Sequence, residues 1–211
     1  MRRIARAAKL QFQETAVFDM FVALQQRREL NDWLRAGRSG LTPHLAKRMT
    51  VQEYADRYRL QTFVETGTYL GYMVRGVRNQ FRRIYSIELD PALYVRAARK
   101  FARQKNAVIM QGDSANVLPQ ILTNLAEPCL FWLDAHYSGG NTARGEVDTP
   151  IVQELSAILT HPITEHVILI DDAREFGVQR DYPSLLQIRE LVSRLRSGAS
   201  VEVRHDILRV H

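Results

Sequence analysis

The sequence predicts an α/β protein with a doubly wound, mostly parallel sheet and an N-terminal helical extension. From Gln61 onward, five short apolar runs alternate with stretches of helical periodicity. Strict alternation of this kind indicates parallel strands with helices on both faces of the sheet. The preceding residues show only helical periodicity. We therefore expect a helical extension over residues 1–60 and a sheet domain over residues 61–211.

The helical extension is predicted from apolar residues at three-to-four spacing. They are Val17, Phe18, Phe21, Leu24, Trp33 and Leu34. A break follows at residues 38–40. Thr50 and Glu53 then form a capping-box pattern that predicts a further short helix. The start of the chain lacks an uninterrupted apolar segment, so we interpret it as amphipathic helix and not as a signal peptide. These helices are expected to pack beside the sheet, in a ligand pocket or in a homodimer contact.

The five apolar runs of the sheet domain are the predicted strands. They are Thr62–Glu65, Arg83–Leu89, Ala107–Gln111, Cys129–Leu133 and His166–Ile170. Helices are predicted after Pro91 and over Val117–Leu125, Ile151–Leu159 and Leu185–Leu195, and an alternating pattern follows in Val201–Arg204 and Ile207–Val210. Open α/β sheets bind ligands at the carboxyl ends of their strands, so functional residues are expected there.

Charge and cysteine content narrow the classes of partner. The chain of 211 residues has a formal net charge of +6, which favours an anionic partner. The basic residues are spread along the chain and no nucleic-acid motif is visible, so nucleic acid is not the expected partner. The single cysteine, Cys129, lies in an apolar run and is expected to be a buried thiol, compatible with a reducing cytoplasm. No apolar run is long enough to span a membrane.

The first predicted strand ends in an acid followed by glycines. Glu65, Gly67 and Gly71 would allow a tight turn and a close approach of the backbone to a ligand, with Thr68 in the same turn. Glycine turns after strands are common, so this feature alone is weak. The spacing does not match the dinucleotide fingerprint, which argues against a dinucleotide or nucleotide-sugar oxidoreductase.

The second and third predicted strands also end in acidic residues. Glu88 is placed to accept hydrogen bonds from ribose hydroxyls, while Asp90 can cap the next helix. After the third strand, Gly112 lets the backbone approach a flat ring, and Asp113 or Ser114 can meet the edge of an adenine. Asp113 can equally serve as a helix cap.

These three strand ends, in this order, resemble the S-adenosylmethionine (SAM) motifs of class I methyltransferases. The resemblance covers roughly residues 62–176, within a predicted methyltransferase domain over residues 61–211. It implies SAM as the cofactor and a Rossmann-like fold. The implied cofactor-binding residues are Glu65, Gly67, Thr68, Gly71, Glu88, Asp113, Ser114 and Asp134.

Acids at the ends of the fourth and fifth predicted strands resemble those of metal-dependent O-methyltransferases of the catechol and macrocin types. The likeness implies that Asp134, Asp171 and Asp172 hold a divalent metal ion such as Mg²⁺, which prefers oxygen ligands. The alternative is that these acids cap helices or line the SAM site without a metal. The expected reaction is metal-assisted methylation of a hydroxyl on a sugar or another small molecule.

His136 is the predicted base that takes the hydroxyl proton, because an imidazole titrates near neutral pH. Tyr137 is the reserve, and a structural or orienting role for His136 is the alternative. Glycines and small polar residues over residues 138–146 predict a mobile loop, in which Arg144 is placed to bind an acidic group of the acceptor or to face solvent. The rival functions are a nucleic-acid methyltransferase and a non-catalytic SAM-binding module.

Overall fold

The computed structural model describes residues 16–134, 149–179 and 182–211, with side chains from residue 20 onward. Its helices are α1 (Ala16–Arg35), α2 (His44–Tyr58), α3 (Tyr72–Val77), α4 (Pro91–Phe101), α5 (Ser114–Leu122), α6 (Ile151–Leu159) and α7 (Leu185–Leu195). Its strands are β1 (Thr62–Thr66), β2 (Arg83–Glu88), β3 (Ala107–Gln111), β4 (Cys129–Leu133), β5 (Val167–Ile170), β6 (Val201–Arg204) and β7 (Ile207–Val210).

The chain divides into two compact units, Met1–Met49 and Thr50–His211. The first contains α1 and the start of α2, and the second contains the sheet and the remaining helices. The boundary that the sequence predicts, between residues 60 and 61, stays a prediction. Among the described helices, none is long and apolar enough to cross a membrane.

The sheet has the strand order β3-β2-β1-β4-β5-β7-β6. The first five strands of this order are parallel, and β7 pairs antiparallel with both β5 and β6. The predicted doubly wound, mostly parallel α/β sheet is therefore confirmed. The order reverses between β1 and β4, and the crevice at such a reversal is where open α/β sheets bind their ligands.

Apolar side chains pack on both faces of the sheet. On one face, residues of α5, α6 and α7 cover β4 and β5, and on the other, residues of α2, α3 and α4 cover β1 and β2. Strands β1, β4, β5 and β7 are buried along their whole length. Burial on both faces explains why β4 and β5 are continuous apolar runs in the sequence.

Two local features differ from or refine the sequence expectations. Thr50 does not start a helix, because α2 already begins at His44, where the backbone N–H of Lys47 donates to the Pro43 carbonyl at 3.0 Å. Proline tolerates this position since its missing N–H has no intrahelical partner to lose. At the C-terminus, β6 and β7 form a hairpin whose two turn residues, His205 and Asp206, both have positive φ, as a type I′ turn requires.

Candidate functional site

The ends of β1, β4 and β5 lie side by side at one edge of the sheet. Thr66 is in register with Leu133, and Leu133 is in register with Ile170. The residues that follow leave the sheet at the same level. The backbone N–H of Asp134 donates to the Thr66 carbonyl at 3.1 Å, and the N–H of Asp171 donates to the Leu133 carbonyl at 3.0 Å. Parallel pairing thus brings acids together that are far apart in sequence.

Asp134, Asp171 and Asp172 form an acid cluster at this edge. One carboxylate oxygen from each lies within 4.8 Å of the others. Asp171 and Asp172 are buried, and Asp134 is half-buried. Oxygen donors at this spacing suit a hard divalent cation. The three residues that the sequence proposes as metal ligands therefore lie together.

The backbone of Asp172 adopts a left-handed conformation, with φ 53° and ψ 48°. Aspartate tolerates this region better than most residues. A guanidinium nitrogen of Arg174 lies 2.8 Å from Oδ1 of Asp172 and also pairs with Asp206 in the β6–β7 turn. Asp172 therefore combines an ion pair to Arg174 with a left-handed backbone conformation.

The carboxylate of Glu88 is held at the end of β2 by two backbone amides. Tyr69 donates its N–H to Oε2 at 2.7 Å, and Asp90 donates to Oε1 at 3.0 Å. Burial raises the pKa of Glu88, and these hydrogen bonds oppose that shift. Each oxygen keeps a second lone pair that can accept a hydrogen bond from a ligand hydroxyl. Asp90 caps α4 by accepting from the N–H groups of Ala92 and Leu93.

Glu65 lies at the end of a hydrogen-bonded chain inside the sheet edge. Ser86 donates its hydroxyl to Glu65, and the hydroxyls of Thr68 and Ser86 are 2.6 Å apart. Glu65 is 2% exposed. Burial raises its pKa well above the usual range, and the charges of Asp134 and Glu88 act in the same direction. These hydrogen bonds connect Thr68, in the turn that follows β1, to Ser86 and Glu65.

Two glycines of that turn have positive φ, +87° at Gly67 and +68° at Gly71. A Cβ atom on Gly71 would lie 2.6 Å from Cε2 of Phe101 in α4. Gly71 is thus required by the packing of the turn against α4, besides any role toward a cofactor. The backbone N–H groups of Gly67 and Thr68 both donate to the Ile87 carbonyl. The Thr68 hydroxyl is also hydrogen-bonded, to Ser86, so both polar groups of Thr68 have partners within the protein.

The turn after β3 brings a further acid into the site. Asp113 caps α5 by accepting from the N–H of Ala115 at 2.9 Å, and Gly112 precedes it with φ +146°. Ser114 is buried, and its hydroxyl hydrogen-bonds to Glu154 on α6. Glu154 was not among the residues predicted from the sequence.

Glu154, Asp134 and Asp171 line a small open pocket between the ends of β4 and β5 and the start of α6. Its walls include Phe176 and Tyr182, whose rings meet edge to face at a centroid distance of 5.4 Å. Burial raises the pKa of Tyr182, and it raises that of Glu154 to about 7. We call this the acid pocket.

Three predicted functional residues lie outside the described part of the chain. They are His136, Tyr137 and Arg144. The contacts of the remaining predicted residues with SAM or a metal stay predictions. Cys129 is fully buried, so the expected buried thiol is confirmed, and burial raises its pKa to about 12.

Several similar solved structures are methyltransferases. The O-methyltransferase TomG from Streptomyces achromogenes, involved in tomaymycin synthesis and solved with SAM, is 15% identical, with a TM-score of 0.57 over 88% of this chain and 87% of TomG. An O-methyltransferase from Bacillus cereus, solved with SAH, is 16% identical, with a TM-score of 0.56 over 88% of this chain and 89% of that chain.

A third similar structure is the methyltransferase PaMTH1 from Podospora anserina, bound to SAH. It is 16% identical, with a TM-score of 0.53 over 79% of this chain and 77% of that chain. No family model and no curated protein matches the sequence. The chain therefore has the fold of SAM-dependent methyltransferases, as its sequence motifs predict, and resembles O-methyltransferases within that fold.

Proposed function

We propose that the chain is a SAM-dependent O-methyltransferase that methylates a hydroxyl of a small molecule or saccharide with the help of a divalent metal ion. The observation that carries this proposal is the acid cluster of Asp134, Asp171 and Asp172, whose oxygens lie within 4.8 Å of one another. The cluster stands at the reversal of strand order, next to the strand ends that carry the SAM-like motifs.

The residues at the ends of β1 to β3 fit SAM. Glu88 presents a carboxylate fixed by two backbone amides, which suits a pair of ribose hydroxyls. Gly67 has no side chain and a positive φ, so the backbone at the end of β1 can approach a ligand closely. SAM supplies an activated methyl group, so the protein has mainly to orient the reactants and remove a proton.

The acid cluster fits a hard divalent ion by its chemistry and its charge. Three carboxylates at this spacing repel one another unless a cation lies near. A divalent metal ion held there would lower the pKa of a hydroxyl bound to it and fix the direction from which that hydroxyl reacts.

The chain's own residues would then complete the reaction. Asp134 begins the segment that carries His136, and this histidine is our candidate for the group that takes the hydroxyl proton. The apolar walls of the acid pocket, among them Ile170 and Phe176, would keep bulk water from the reacting oxygen and so strengthen the electrostatic interactions there.

The cluster also separates this function from its rivals. A SAM-binding module without catalysis has no need of three acids at the sheet edge. A nucleic-acid methyltransferase would show strongly salt-dependent binding to its substrate, so the salt dependence of substrate binding distinguishes it from an enzyme that acts on small molecules.

The test is methyl transfer from labelled SAM to a panel of sugars and vicinal diols, with Mg²⁺ and with EDTA. We expect turnover that needs the metal, and Asp172→Asn should weaken Mn²⁺ binding, measured by electron paramagnetic resonance, at least about tenfold. Asparagine tolerates the left-handed backbone of Asp172, so the fold should persist.

Asp206→Asn is the matched control for this substitution. Asp206 also has a positive φ, 57°, and also binds Arg174, but it lies outside the acid cluster. We expect its Mn²⁺ affinity to stay close to that of the wild type. Turnover that is unchanged in EDTA, or equal Mn²⁺ binding by wild type and Asp172→Asn, would refute the metal assignment.

A further inference from the structure

Helix α1 exposes large apolar side chains along one side. Met20, Phe21, Leu24 and Leu34 are between 44% and 62% exposed. Residues at three- to four-residue spacing from Met20 to Leu34 lie on this side of the helix, and Phe21 borders them. On the other side, Val22 and Leu30 are half-buried and Trp33 is buried. We call the exposed side the open face of α1, and its members are Met20, Phe21, Leu24, Arg27, Arg28 and Leu34.

The open face also carries positive charge. Arg27 and Arg28 are exposed there, among the apolar side chains. Of the acids on α1 whose side chains are described, Glu29 lies on the opposite side of the helix from Met20, as its spacing requires. Asp32 pairs with Arg35 at 3.4 Å, so these two charges compensate each other. The open face therefore combines apolar groups with guanidinium groups.

The whole net charge of the protein belongs to the compact unit that contains α1. Basic residues are spread along the chain, but the acids that balance them are not. Residues 1–49 contain 10 Lys and Arg against 4 Asp and Glu, which gives a formal charge of +6. Residues 50–211 contain 19 of each and are formally neutral. An anionic partner is therefore expected at the first unit and not at the sheet.

A second copy of α1 would fit this face poorly. Arg27 is the midpoint of the stripe from Met20 to Leu34, so a parallel pairing in register and an antiparallel pairing centred on the stripe both place Arg27 against its own copy. Two guanidinium groups brought together in this way repel each other. Nucleic acid would match the charge, but its phosphate backbone would not cover the apolar side chains. The surface of an anionic bilayer offers both phosphate groups and an apolar interior.

We propose that α1 binds the surface of an anionic phospholipid bilayer through its open face. The helix lies along the surface, its exposed apolar side chains enter the boundary between headgroups and acyl chains, and Arg27 and Arg28 bind lipid phosphates. This interaction is separate from the proposed methyl transfer, because it uses no residue of the acid cluster or of the strand ends that resemble SAM motifs.

The test is flotation of the full chain with unilamellar vesicles of two compositions. One is phosphatidylcholine alone, and the other contains three parts of phosphatidylcholine to one part of phosphatidylglycerol. We expect the wild type to partition onto the anionic vesicles at least about tenfold more strongly than onto the neutral ones. Raising the salt concentration from about 0.1 M to about 0.5 M should weaken this binding, because salt screens charges at the surface.

A double variant, Phe21→Ser with Leu24→Ser, tests the apolar part of the open face. Both side chains are exposed, so the fold should persist, while partition onto the anionic vesicles should fall at least about tenfold. Val178→Ser with Leu186→Ser is the matched control, because these two side chains are 79% and 65% exposed but lie in the second unit. The control should keep the wild-type partition within about twofold.

A second pair of variants tests the charges. Arg27→Gln with Arg28→Gln should lower partition onto the anionic vesicles about tenfold or more, with little change on neutral vesicles. Arg189→Gln with Arg194→Gln removes the same charge from exposed positions of α7, and its loss should stay below about threefold. Equal losses in the two variants would show that the charge of the whole chain, and not the open face, attracts the vesicles.

Other results would also overturn the inference. The wild type might bind neither kind of vesicle, or both equally. A dimer that forms in sedimentation and is lost in Phe21→Ser with Leu24→Ser, without vesicle binding, would show that a second copy covers the open face. The comparison of vesicles on the wild type needs no variant, so a folding defect in a variant would not protect the inference. Failure to bind SAM would refute the proposed function and leave this inference standing.

Discussion

A guanidinium nitrogen of Arg174 lies 2.8 Å from Oδ1 of Asp172, inside the region where three acids converge. The same nitrogen pairs with Asp206, and the backbone N–H of Arg174 donates to the Asp206 carboxylate at 2.8 Å. Arg174 thus connects the acid cluster at the end of β5 to the β6–β7 turn. It also supplies positive charge at the place where we propose a metal ion.

Replacing Arg174 with methionine is expected to strengthen metal binding and weaken the metal-free fold. The side chain of Arg174 is 42% exposed, so screening limits each effect to about 1 kcal/mol or less. We expect Mn²⁺ affinity to rise up to about fivefold, and the melting temperature without metal to fall and to recover with Mg²⁺. A drop in Mn²⁺ affinity would show that Arg174 supports the metal site and does not compete with it.

Substitutions of the neighbouring acids Glu88 and Asp90 are expected to affect different properties. Glu88 should determine SAM affinity, and Asp90 should determine stability. Glu88→Gln should weaken SAM binding about 10- to 100-fold, because hydrogen bonds to a charged group are worth about 1.5–3 kcal/mol. Asp90→Ala removes the cap of α4, so it should lower the free energy of unfolding by about 1 kcal/mol and leave SAM affinity unchanged. Titration calorimetry and urea unfolding measure the two quantities. If Asp90→Ala lost the affinity and Glu88→Gln kept it, Glu88 would not be the ribose-binding acid.

Gly71→Ala should destabilise the protein more than Gly37→Ala. The two glycines have nearly equal φ, +68° and +69°, but an added Cβ at Gly37 would meet no atom within 4 Å, whereas at Gly71 it would clash with Phe101. The backbone penalty of about 1–2 kcal/mol is common to both. The clash adds about 1–3 kcal/mol at Gly71. Equal losses in urea unfolding would mean that Phe101 moves away at little cost.

The strands and the acid cluster were predictable because each depends on a local pattern. The predicted strands Ala107–Gln111 and Cys129–Leu133 have the observed bounds. The acids after the last residues of β4 and β5 then had to meet, since parallel strands end at the same edge of the sheet. No long-range information beyond the order of the elements was needed for this part of the site.

The partners that complete the site depend on tertiary contacts that no spacing specifies. Arg174 meets Asp206 across 32 positions of sequence, through a hairpin whose place beside β5 is set by packing. For Glu154 a signal did exist. It stands three residues after Ile151 and directly before Leu155, on the apolar face of its helix, and an acid on a core-facing position requires a partner.

His166 is expected to make the protein sensitive to acid. Its Nδ1 accepts a hydrogen bond from the backbone N–H of Cys129 at 3.0 Å. This nitrogen therefore carries no proton, and the imidazole ring is neutral. Burial, followed by the charges of His161 and Arg196, lowers its pKa from 6.5 to about 4. Between pH 6.5 and 4 the unfolded state therefore binds more protons. The stabilising contribution is present above pH 6.5 and is lost as the pH falls toward 4.

Urea unfolding between pH 4 and 8 measures this contribution. In the wild type, His166 should add at most about 1.4 kcal/mol per pH unit to the slope, and His166→Gln should show a flatter profile. The pKa of His44 is also lowered to about 4; this residue is present in both proteins, so the difference between their profiles isolates His166. Parallel profiles would contradict the assignment.

The most direct test of the proposed function is calorimetric titration of the purified chain with SAM. We predict binding at a single site with a stoichiometry of about one, because the strand ends at the order reversal offer one set of cofactor groups. Circular dichroism on the same sample establishes that the protein is folded. No binding by a folded protein would contradict the account and leave a methyltransferase fold without its cofactor.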